Sequence, residues 1–168
     1  DLPVMELCAY RWGIPVPEWF SQDGPGYQQP RNRFNTRHHF DVQDFLTNSG
    51  AVHANGGLDL HAKLVGGLGK MGTKGDMVQE LWENGERERI DDYCTCDVFD
   101  TYLVFLRCQL LLGRLEPDAE RQCWEGAKRL AESLAPRSVA MSDYARLMAR
   151  REPPADEQLR LRAEALSV

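Results

Sequence analysis

The sequence predicts an α/β fold in which helices far outnumber strands. Amphipathic periods of helical spacing run through most of the chain, and one short alternating stretch, ending near Asp41, reads as a strand. A helix-rich chain with one or two strands needs further strands to pair them, so most of the sheet is expected elsewhere. The 168 residues suit one domain with a sizeable core, and 42% hydrophobic and 27% charged residues are ordinary for a soluble globular protein.

Asp1-Leu2-Pro3 opens like a helix, since aspartate can cap and proline is tolerated in the first turn. Leu2, Met5, Leu7, Cys8, Ala9 and Trp12 supply its apolar positions, and Gly13 ends it. From Ile14 to Asn35 the density of Pro, Gly, Gln and Asn reads as a long exposed connection, either a plain surface loop or the border of a groove. His39-Phe40-Asp41 then alternates as a short strand and passes into a helical turn at Val42 to Leu46. After the break at Gly56-Gly57, Leu58 to Leu68 is a short helix. Gly66 to Gly75 surrounds Lys70 and Lys74 with glycines, but Gly69-Lys70 is followed by Met71, so the order of a phosphate-binding P-loop is not met. Asp76 to Glu83 is another helix, stopped at Asn84-Gly85.

Glu86 to Leu112 reads as one long helix with Ile90, Cys94, Val98, Tyr102, Phe105 and Leu106 as its core stripe and Tyr93 and Asp97 at the stripe's edge. Glu116-Pro117-Asp118 starts an amphipathic helix through about Leu134, Ser138 to Arg151 forms another, and residues 155–168 read as a short charged helix.

Composition excludes several classes. Tyr102 to Leu112, the longest strongly apolar run, is interrupted by Arg107 and Gln109 and is too short to cross a bilayer. Five cysteines, an odd number without framework spacing, read as reduced thiols of a cytoplasmic protein. A formal net charge of −6 argues against a broad basic surface for nucleic acid, yet leaves room for an acidic site that cations neutralise. Asp1 stands where an initiator methionine would, and the chain reads either as processed or, in preference, as the C-terminal piece of something longer.

The chemistry concentrates at Tyr93-Cys94-Thr95-Cys96-Asp97. Positions i and i+4 of a helix lie one above the other, so one face can present a phenol and a carboxylate to a single phosphate. By spacing alone, a half-buried tyrosine beside a solvated carboxylate is the plainer reading. His38, His39, His53, His61 and the Cys94-x-Cys96 pair lack zinc-ligand spacing. Arg31, Arg33 and Arg37 with His38 and His39 form the one local basic cluster, either a contact for a single strand or a solvated charge run.

The stretch Asp92-Tyr93-Cys94-Thr95-Cys96-Asp97-Val98-Phe99-Asp100-Thr101-Tyr102-Leu103 resembles the third exonuclease motif of the DEDDy branch of the DnaQ-like superfamily, in the family predicted to be related to the exonuclease domain of family B DNA polymerases. Gly69-Lys70-Met71-Gly72 with Gly75-Asp76 and Val78 is similar to that family's glycine-rich segment, and Asp1 to Leu7 to the end of its second motif. The resemblance implies an RNase H-like exonuclease fold, with residues 1–115 as the C-terminal part of the exonuclease domain and 116–168 as a helical extension of it. It implies that Asp97 and Asp1 are metal ligands, that Tyr93 orients the attacking water, and that two Mg²⁺ or Mn²⁺ ions about 3.5–4 Å apart stabilise the charge at phosphorus. The implied substrate is the 3′ end of single-stranded DNA or RNA. The family's first motif, Asp-x-Glu on a central strand, has no counterpart here, every acidic pair lying after the second motif, and the piece is therefore expected to bind metal weakly and hydrolyse little. The reading from another class is a non-catalytic nucleic-acid-binding or helical interaction domain.

Overall fold

The structure, a computed structural model, describes residues 2–153. The chain divides into two compact units, one ending at Asp41 and the other beginning at Val42.

The first unit contains helix α1 (Leu2–Trp12) and a single 3₁₀ turn at Gly26–Gln28. No residue of α1 is buried, although its apolar positions are those the sequence marks. Polar contacts hold this unit together. Glu6 accepts two bonds from Arg31, at 2.8 Å from Nε and 2.6 Å from Nη2, and a third from the Trp19 indole at 2.8 Å. These donors, Arg31 first, hold the Glu6 carboxyl down at about 2. Trp19 also stands edge-on to His39 with ring centroids 5.7 Å apart. The long connection is mostly exposed, and buried Asn35 ties it by donating to the carbonyls of Gln28 and Gln29.

The second unit is built around α5 (Arg87–Leu111). The helices α2 (Val42–Leu46), α3 (Gly57–Leu64), α4 (Val78–Glu83), α6 (Pro117–Leu134) and α7 (Val139–Met148) all pack against it. The core consists of Leu81 from α4, Leu103, Val104 and Leu106 from α5, Trp124, Ala127 and Ala131 from α6, and Met141, Tyr144 and Met148 from α7. Each large side chain buried here contributes about 1.5–3 kcal/mol of apolar transfer free energy. The entry to α5 is set by Asn84-Gly85: Gly85 takes φ +76°, its N–H reaches the Trp82 carbonyl, and the Glu86 N–H reaches that of Leu81. That double bond pattern closes α4 and turns the chain into α5.

Two expectations are corrected. The described residues form helices, 3₁₀ turns and loops without any strand, so the α/β class and the RNase H-like fold with one or two strands are not what these residues build. His39-Phe40-Asp41 has the alternation of a strand but no neighbouring strand among the described residues to take its backbone bonds, and alternation without a partner makes no sheet. The stripe drawn on α5 is also rotated. Cys94, Val98 and Tyr102 are exposed, while Asp92, Cys96, Phe99, Asp100, Leu103, Leu106 and Cys108 face inward. Two carboxylates lie on the buried side, and a stripe chosen for apolarity turns away from them.

The predicted helix at Leu58–Leu68 ends at Leu64, where the glycines begin, and that at Ser138–Arg151 ends at Met148. The reading of 155–168 lies outside the described residues. Among the described residues no helix is long and apolar enough to cross a membrane.

Candidate active site

The first half of α5, the glycine-rich segment and the start of α7 enclose a cavity of about 480 Å³. Its lining includes Gly69, Met71 and Thr73 from the segment, Asp92, Tyr93, Cys96 and Asp97 from α5, and Ser138 to Ala140 with Asp143 from α7. The volume is in the range of small-ligand sites.

Tyr93 and Asp97 are both half-buried and lie side by side at the cavity wall, the carboxylate acting on the phenol. This is the contact that one helical turn of separation permits. Burial first, and the Asp97 charge second, push the phenol above its ordinary range. It therefore remains a hydrogen-bond donor throughout the neutral range. Gly75 abuts the same hydroxyl: a Cβ added there would stand 3.6 Å from the Tyr93 oxygen, which places the glycine-rich segment directly over the pair.

What holds that segment down is Asp100, at 1% exposure. Its Oδ1 accepts from the Leu68 N–H at 3.3 Å and from the Tyr144 hydroxyl at 3.2 Å. Gly67 makes the approach feasible, since a Cβ there would lie 3.0 Å from the same oxygen. Desolvation outweighs these bonds and pushes the Asp100 carboxyl up to about 6. Two residues further on the segment is tied by Asp59, which accepts from the Lys70 N–H at 2.7 Å and from the Lys63 ammonium at 2.8 Å. α7 is presented to the cavity by Ser138, whose hydroxyl accepts from the Met141 N–H at 3.0 Å. Cys96 is buried beside three aspartates, and its thiol is pushed up to about 12, chiefly by desolvation, so it is no nucleophile at neutral pH.

Of the residues singled out in the sequence, Tyr93 and Asp97 are thus brought together, while Asp1 lies outside the described residues. Arg31, the first of the basic cluster, is taken up by Glu6. All five cysteines are free thiols. The residues the sequence reading passed over are Asp92 and Asp100. Their signal was spacing: Asp92, Cys96 and Asp100 recur every four residues beside Phe99 and Leu103, marking a face both acidic and buried.

The donor set does not amount to a complete cation site. Among the described residues no three His, Cys, Asp or Glu side chains are grouped so that they could hold a metal ion. The Asp-x-Glu spelling does occur, at Asp118-Ala119-Glu120 on α6, but Glu120 is buried against Arg107 at 2.7 Å and Asp118 is paired with Arg121 at 3.0 Å.

Residues 1–146 match the sequence model of a family described as a predicted 3′-5′ exonuclease related to the exonuclease domain of PolB. No curated protein and no solved structure matches the chain.

Proposed function

Because the chain belongs to the family of predicted 3′-5′ exonucleases related to the exonuclease domain of PolB, we propose that its cavity receives the 3′ end of single-stranded DNA or RNA for hydrolysis of the terminal phosphodiester. The observation that carries this reading is the juxtaposition of Tyr93 and Asp97 at the wall of a cavity of about 480 Å³.

The residues suit such a reaction in complementary ways. The Tyr93 phenol, kept protonated by burial and by the Asp97 charge, has its one proton to donate to a water or to a phosphate oxygen and so orients the reacting groups. Asp97, one helical turn on, offers its carboxylate to the same cavity. Glu88, Asp92, Asp97 and Asp143 line the cavity against a single Arg89, a balance that repels a polyanion unless cations enter with it. We assign Asp97, and Asp1 beyond the described residues, as carboxylates offered to two divalent cations, Mg²⁺ or Mn²⁺. The described residues by themselves do not gather a ligand set.

Digestion of a labelled single-stranded oligonucleotide with Mn²⁺ tests the reading. Asp97→Ala and Tyr93→Phe are each expected to lower the rate by about 100-fold, the scale of a positioned proton-handling or orienting group. Equal rates in wild type and both variants would remove these residues from the mechanism.

A further inference from the structure

Besides α5, the cavity has two walls that come from distant parts of the sequence: the glycine-rich segment, through Gly69 and Met71, and the start of α7, through Ser138 and Asp143. Both are fastened to α5 at one atom. Asp100 Oδ1 accepts from the Leu68 N–H at 3.3 Å, one residue before Gly69, and from the Tyr144 hydroxyl at 3.2 Å, one residue after Asp143. Asp100 is outside the lining and 1% exposed, so this atom touches the walls and not their contents. Tyr144 is fully buried, its ring centroid 5.3 Å from that of Phe99, and its hydroxyl has no water to turn to if the bond is lost. The oxygen is confined as well, since a Cβ at residue 67 would stand 3.0 Å from it. A carboxylate with so little room to re-aim transmits a change at one partner to the other.

We propose that Asp100 is a positioning residue for the reaction: with one oxygen it sets the separation of the glycine-rich segment and α7, and so the placement of the substrate against Tyr93 and Asp97. This rests on the exonuclease reading. Misplacement by about 1 Å from a change remote from the chemistry can cost about 100-fold in rate, so a joint behind the lining is enough to matter. The same geometry couples the walls, and loss of the Tyr144 hydroxyl on α7 is expected to loosen Leu68 in the segment. The Lys70 N–H provides an internal control, because its acceptor is Asp59 and not Asp100.

The test is made on the full chain with Tyr144→Phe, which keeps the ring and removes the hydroxyl, and with Asp100→Ala and Asp100→Asn. Amide hydrogen exchange at Leu68 is expected to quicken about tenfold in Tyr144→Phe and in Asp100→Ala, the scale of one hydrogen bond to a charged acceptor. The amides of Lys70 and of Leu103 in the core are expected to keep their wild-type rates, and Asp100→Asn, which retains an acceptor, to restore protection at Leu68. In digestion of a labelled oligonucleotide with Mn²⁺, kcat is expected to fall about tenfold in Tyr144→Phe and in Asp100→Ala and to recover in Asp100→Asn. Unchanged exchange at Leu68 in Tyr144→Phe overturns the proposal. Exchange that quickens equally at Leu68, Lys70 and Leu103 overturns it too, because it would show general loosening. Digestion that depends on Asp97 but is indifferent to Tyr144 would sink the role of Asp100 and leave the exonuclease reading standing. Coupled exchange in a chain that digests nothing would sink that reading, and the positioning role with it.

Discussion

Asp100 shows how much a single buried carboxylate decides. Its folded value of about 6 lies above the ordinary 3.8, so the folded chain binds the proton more tightly than the unfolded one. Its contribution is therefore most favourable below pH 3.8 and declines as pH rises toward 6. Above that range ionisation costs about 3 kcal/mol relative to acid conditions. Asp100→Asn keeps an acceptor for the Leu68 N–H and the Tyr144 hydroxyl while abolishing the titration. The variant should lose the fall in urea midpoint that wild type shows between about pH 4 and 6. Identical pH profiles would mean that Asp100 is not desolvated as described. The glycine-rich segment would feel the change directly, since the same oxygen anchors it.

At the scale of elements, the joint between α5 and α6 combines apolar packing with a buried charge pair. Arg107 Nε donates to Glu120 at 2.7 Å, and Glu120 is almost fully buried. The second guanidinium nitrogen Nη2 and the Trp124 indole nitrogen are buried there without a partner among the described residues. The arrangement thus leaves donors unsatisfied while depending on one carboxylate, and cutting that carboxylate strands a charge. Glu120→Ala is expected to cost about 3 kcal/mol in denaturant unfolding. Combining Arg107→Met with Glu120→Leu should recover most of it, because a well-packed apolar pair replaces a buried ion pair at little cost. Failure of the double variant to recover would show that the pair also fixes the approach of the helices.

For the whole molecule, stability is concentrated in the unit that begins at Val42, which contains every hydrophobic core residue identified. In the first unit the polar group of Glu6, Arg31 and Trp19 takes the place of a core, and Asn35 is the one buried residue among those described. A chain lacking residues 1–41 is accordingly expected to keep its helical circular dichroism and to melt within about 4 °C of the full chain, a shift of about 1 kcal/mol or less. Loss of cooperative melting would place part of the core in the first 41 residues. The absence of strands among the described residues belongs to this scale as well. A strand is stable only in company, and no alternation of His39, Phe40 and Asp41 can supply the neighbour.

Local periodicity was enough to determine the helices at Leu2–Trp12, Arg87–Leu111 and Pro117–Leu134, because their bonds are made within the segment and their ends are written in Gly13, Gly85 and Pro117. It was enough to pair Tyr93 with Asp97 for the same reason: one turn separates them, and the helix does the rest. Only tertiary structure decided which side of α5 turns inward. That choice depends on desolvation, on a glycine at 67 close enough for Asp100 to reach a backbone N–H, and on Tyr144 arriving from a helix more than forty residues away. Burial of Asp92 and Asp100 follows from that packing, since the free energy of hiding a carboxylate is settled by what surrounds it in space.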